Sequence, residues 1–126
     1  MDSLPYTNPT GREYPSLIRI EESSLLVEFR KWVWRKLSKQ IVQVRIPMEE
    51  VTSIDLKRGV FVDQINMQLR SMRAAGAIPC RKPGLIEMRF ARKHREAAHD
   101  LATVLRTAVS EQHIDRLDRE IRRLED

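Results

Sequence analysis

The chain has one cysteine, Cys80, so no internal disulfide can brace it, a usage that fits a reducing compartment. It has four glycines in 126 residues, and none group into a phosphate-cradling loop. No apolar run approaches the roughly 18 residues that span a bilayer. The opening residues, MDSLPYTNPTGREYP, are polar and lack the apolar stretch of a secretory signal. These absences imply a cytoplasmic chain without a transmembrane segment.

The residues of catalysis are scarce too. There is no HExxH and no GxSxG. His94, His99 and His113 show no i, i+4 pairing of the kind that holds a metal. Glu49 and Glu50 are neighbours, so on a strand they face opposite ways, which is poor geometry for a paired acid and base. Arg81 and Lys82 could lower the Cys80 thiol pKa, but no nucleophile signature surrounds it. The expectation is no enzyme, no cofactor and no metal.

Charge is what the chain has in quantity. The net formal charge is +5, unevenly spread. Residues 1–29 carry two basic and five acidic side chains, residues 30–95 sixteen and five, and residues 96–126 five and eight. A basic body between acidic ends attracts anionic partners, although a basic surface alone rarely specifies one.

Alternation at period two dominates the middle of the chain. In Ile41–Gly59, Val42, Val44 and Ile46 alternate with Gln43 and Arg45, and Ile54 and Leu56 alternate with Ser53, Asp55 and Lys57. Pro47 removes a ladder donor and marks the corner between the two strands. Further strands are expected at Leu17–Glu21, Leu25–Arg35, Phe61–Arg70 and Leu85–Arg92. Glu87 is placed outward on the last of them. Residues 1–14, rich in turn formers, read as a flexible tail, and residues 71–83 as a loop hiding one very short strand near Ala77–Cys80.

From Lys93 the period becomes helical. Ala97, Ala98, Leu101, Val104, Leu105 and Ala108 form one stripe. Ile114, Leu117, Ile121 and Leu124 follow as an a/d heptad seam, out of phase with the first. The first half is expected to dock on the sheet, and the seam either to meet a partner helix or to pack back on its own domain. The resulting division is a tail at 1–14, a domain at 15–110 and a helical extension at 111–126.

Short antiparallel strands followed by one terminal helix resemble the pleckstrin-homology-like (PH-like) fold, and more closely the small bacterial PH-like domains. The likeness rests on Ile46-Pro47-Met48-Glu49-Glu50-Val51, on a strand running into Lys57-Arg58-Gly59, on Arg89–Lys93, and on a helix beginning Arg95-Glu96-Ala97-Ala98. It covers residues 17–109. The resemblance implies an α+β, mostly β domain: a bent antiparallel sheet or barrel of six or seven strands capped by a C-terminal helix. It also implies a binding module. PH-like domains that bind phosphoinositides use basic residues around the first strand–strand loop. Here that loop is Glu21-Glu22-Ser23-Ser24 in one alignment and Lys36–Gln40 in the other, and only the second suits a phosphate.

Three partner classes follow. The leading expectation is a non-enzymatic interaction module that self-associates or binds protein, through Ile114, Leu117, Ile121 and Leu124 or through a tryptophan-bearing sheet face. The second is anionic lipid on the inner face of the membrane, met by the basic-aromatic cluster Arg30, Lys31, Trp32, Trp34, Arg35, Lys36 and Lys39. The simpler reading of Trp32 and Trp34 is burial under the helix or a partner. Nucleic-acid binding by the basic body ranks last, because no helix-turn-helix, zinc or RNA-binding signature accompanies it.

Overall fold

A computed structural model describes residues 3–9, 14–33 and 38–125, with backbone alone at 14, 31–33, 38 and 39. Along it run β1 (Leu4–Asn8), β2 (Tyr14–Glu21), β3 (Ser24–Val33), β4 (Ser38–Pro47), a 3-10 turn (Met48–Glu50), β5 (Val51–Lys57), β6 (Val62–Leu69), α1 (Met72–Ala75), β7 (Leu85–Ala91), a second 3-10 turn (Arg92–His94) and α2 (Arg95–Glu125). Among the described residues the seven strands form one antiparallel sheet in the order β4-β3-β2-β1-β7-β6-β5. The fold is α+β and mostly β, with a C-terminal helix.

The alternating patterns set the strand faces. Leu25, Val27 and Phe29 of β3, Ile46 of β4, Ile65, Met67 and Leu69 of β6, and Ile86, Met88 and Phe90 of β7 are all buried in one core. Pro47 ends β4, and the 3-10 turn after it sends Met48 inward.

Several expectations need correction. The sheet is not closed into a barrel: β4 and β5 are its two edges, although only three residues join them. The corner's backbone groups are used elsewhere, since Met48 N–H donates to Ser23 O at 3.0 Å and Glu50 O accepts from Arg70 N–H at 2.7 Å. The tail assigned to residues 1–14 contains β1, which lies inside the sheet between β2 and β7. Leu4 and Tyr6 are buried in the core, and buried Asn8 donates through Nδ2 to Pro79 O at 3.1 Å. Pro5 hid this strand from the pattern. It is tolerated because β1 meets β7 only at Thr7↔Arg89, so alongside Pro5 the strand has a free edge.

The very short strand expected near Ala77–Cys80 is not formed. The segment before it holds the one-turn helix α1, whose N-cap Ser71 accepts at Oγ from Ala74 N–H at 3.3 Å. Glu87 is buried rather than outward, for a reason given below.

The helix is continuous through the expected 110/111 boundary. Ala98, Leu101, Ala102 and Leu105 are buried, and half-buried Ala108 and Val109 pack on the same core. This docked half lies mainly against β5, touching also β6, β7 and the 3-10 turn at Met48–Glu50. Val104, counted in the stripe, is 40% exposed. Beyond Val109 nearly every side chain is exposed, so the distal half leaves the domain as a free helix.

Candidate interaction surfaces

The distal half of α2 carries the heptad seam. Ile114 is 62%, Leu117 46%, Ile121 53% and Leu124 87% exposed. The seam therefore does not pack back on its own domain, which removes one of the two expectations for it. Residues 111–125 make a rod about 22 Å long at 1.5 Å per residue. Its e positions are Glu111, Asp118 and Glu125, and its g positions are Arg106, His113 and Glu120. Along the rod, Arg122 lies 3.9 Å from Asp118 one turn earlier, an exposed pair of small energetic weight.

The second surface is built around Asp63, a residue the alternation did not mark. Asp63 opens the inward face of β6, and its side chain is 1% exposed. Arg95, at the start of α2, donates to it twice: Nε to Oδ2 at 3.0 Å and Nη2 to Oδ1 at 3.1 Å. Gly59 N–H donates to Oδ1 at 3.2 Å. Burial alone would raise the carboxyl pKa, but the Gly59 amide and the Arg95 guanidinium outweigh it and hold it below the usual carboxylate range.

His99, one turn along α2, completes the arrangement. Its Nε2 lies 3.3 Å from Asp63 Oδ2, without the alignment of a hydrogen bond, and its Nδ1 is 3.2 Å from Arg58 Nη2. Asp63 thus clasps the β5–β6 turn to the first turns of α2. Gly59 is required in that turn, because a Cβ there would sit 2.2 Å from Val62 O. The turn holds Val60, Phe61 and Val62 outward at 71%, 79% and 41% exposure.

A third feature is an open groove of about 510 Å³ between β4 and α1, lined by Val42, Val44, Pro47, Ala74 and Gly76 with Arg45 and Arg73. Arg45 is engaged there by Glu21 at 3.1 Å, so the groove does not gather a free charge cluster.

No family model, curated protein or solved structure matches this chain. Its surfaces must therefore be read from their own chemistry.

The basic-aromatic cluster is only partly visible. Arg30 is exposed on β3. Lys31, Trp32 and Lys39 are described as strand backbone, with Trp32 opposite Lys39 in the β3–β4 register. Trp34, Arg35 and Lys36 lie outside the described residues.

Cys80 departs from the sequence reading. Its half-buried thiol is pushed up in pKa by burial and then by the nearby Glu87 carboxylate. Arg81 does not offset this, because its guanidinium is paired with Glu87 through Nη2–Oε2 and through Nε–Oε1 at 3.1 Å. That bidentate pair is also why Glu87 can be buried. A thiol-specific reagent at neutral pH is expected to label native Cys80 roughly tenfold or more slowly than the unfolded chain. Equal rates in the two states would show that the thiol is not shielded.

Proposed function

We propose that this chain is a non-enzymatic interaction module of PH-like architecture that self-associates through the distal half of α2. The observation that carries the reading is an unbroken helix whose first half is buried in the core and whose second half projects Ile114, Leu117, Ile121 and Leu124 into solvent. A seven-stranded antiparallel sheet, built from β1–β4 and β5–β7 joined through β1 and β7 and followed by a terminal helix, supports the architectural part.

The seam's composition favours a second copy in parallel. Isoleucine at both a positions with leucine at both d positions is the two-stranded parallel pattern. Antiparallel pairing would set the acidic e positions, Glu111, Asp118 and Glu125, against one another. Parallel pairing faces g with e, which brings Arg106 to Glu111 and His113 to Asp118 of the second copy, with Glu120 against Glu125 the one like-charge pair. Two heptads make a short coil, so the association should be concentration-dependent.

The non-enzymatic part is supported by what the ionisable groups already do. His99 meets Arg58 through Nδ1 and sits with Nε2 3.3 Å from Asp63, Asp63 is held by Arg95, and Glu87 by Arg81. Light scattering on the full chain and on a truncation ending at Ser110 tests the assembly. A dimer that becomes a monomer on truncation is expected, and a monomer in both cases would overturn the reading.

A further inference from the structure

The β5–β6 turn carries an exposed apolar tip where turn chemistry ordinarily places polar residues. Val60 and Phe61 are largely solvent-facing, and Val62, which opens β6, is exposed by about two-fifths. Isolated exposed apolar side chains are common on folded proteins, but a contiguous run at the end of a hairpin is not. The Asp63 hydrogen bond to Gly59 and the Arg95 clasp fix the turn from behind, so the tip is presented rather than collapsed.

Cations surround the tip. Lys57 and Arg58 precede it on the same hairpin. The register Val62↔Ala91 brings the end of β7, and with it Arg92 and Lys93, alongside. Lys57, Arg58, Arg92 and Lys93 are all exposed, and among the described residues none has a carboxylate within ion-pair distance. Residues 57–63 and 91–96 together hold five lysines and arginines against two carboxylates, Asp63 and Glu96. Asp63 is buried and already neutralised by Arg95. Asp55, two residues before Lys57, is the nearest exposed acid on β5.

We propose that the β5–β6 turn docks on an anionic lipid bilayer, with Val60 and Phe61 entering the headgroup–acyl boundary and Lys57, Arg58, Arg92 and Lys93 meeting the lipid phosphates and carboxylates. A few apolar side chains bind a bilayer marginally, and cations bind its surface marginally. Two such signals together give usable affinity. This tip-and-collar arrangement favours a bilayer over a folded protein, because a bilayer supplies both an apolar depth and a negative surface without needing a matching shape. The site is distinct from the basic-aromatic cluster at residues 30–39 and does not depend on self-association. If α2 pairs in parallel, both turns lie at the same end of the helix pair, and two-point attachment would strengthen binding further.

The test is co-sedimentation of the full chain with phosphatidylcholine vesicles, with and without phosphatidylserine. Binding is expected only when phosphatidylserine is present, and it should fall as salt rises. Phe61→Ser should lower the partition coefficient about tenfold with an unchanged melting temperature, since the side chain is already in water. Lys93→Glu should lower it several-fold and flatten the salt dependence. Absence of binding to the anionic vesicles, or equal binding to neutral ones, would overturn the proposal. So would Phe61→Ser and Lys93→Glu chains that bind as the parent does, because the contact would then lie elsewhere.

Discussion

The Ile121→Asp variant is expected to run as a monomer at concentrations where the parent chain is a dimer. Ile121 occupies the second a position and is 53% exposed in the single chain. In a parallel pair each a side chain meets its own counterpart across the axis, so the substitution places two carboxylates face to face in an apolar seam. Burying such a pair costs on the order of 3 kcal/mol, which weakens the dimer about a hundredfold. The domain itself should keep its stability to within about 0.5 kcal/mol, because the site touches nothing in its own core. Arg119→Gln is the matched control: it removes one positive charge at an f position, away from the seam, and should leave the mass unchanged. A parent chain that stays monomeric, or an Ile121→Asp chain that dimerises as tightly as the parent, would sink the seam.

What could be read from the sequence follows from which signals are local. The strands β3 to β7 were legible because each turns an alternating apolar face to the core, as Ile65, Met67 and Leu69 do on β6, even though Leu26 of β3 and Glu87 of β7 are buried on the opposite face. The two jobs of α2 were legible because its stripes are out of phase: the docked residues lie in the first half and the exposed seam in the second. β1 was not legible. Its five residues include a proline and sit among turn formers, and only pairing with β2 along the full strand reveals them. Closure was not legible either: β4 and β5 follow one another around the Pro47 corner yet stand at opposite edges of the sheet, while the corner's Met48 N–H and Glu50 carbonyl bond to Ser23 and Arg70.

The missed polar residues share one cause. Asp63 and Glu87 look like surface acids in sequence, and each becomes buried by meeting an arginine that local patterning cannot supply. Arg95 is 32 residues from Asp63 along the chain, and Arg81 is six from Glu87 across a loop. The apolar tip could have been found. Val60-Phe61-Val62 directly after a glycine breaks the polar rule for turns, but Phe61 and Val62 also open the alternating run that reads as the next strand, which conceals the tip.

Asp63→Asn is expected to cost about 2 kcal/mol of stability near neutral pH, a fall of several degrees in Tm. The amide keeps the size of the carboxyl and an acceptor for Gly59, but it loses the charge that holds Arg95. Because the Arg95 side chain is 34% exposed, water recovers part of the loss, and the cost stays below that of breaking a fully buried pair. The pH dependence identifies the charge as the cause. Asp63 has a folded-state pKa below its ordinary value, so its contribution is complete above roughly pH 5 and is lost as the pH falls through the folded value. The stability gap between parent and Asp63→Asn, followed by denaturant unfolding, should therefore narrow steadily under acid. A gap that stays constant from pH 7 down to about pH 3 would show that shape, not charge, holds the clasp. Dimer mass should be untouched by the same variant, since Ile114 lies 19 residues along α2 from Arg95, about 28 Å away at 1.5 Å per residue. Vesicle binding should weaken, because the turn that presents Phe61 loses its anchor to the helix. The clasp thereby separates the two surfaces experimentally: it bears on the apolar tip at one end of α2 and not on the seam at the other.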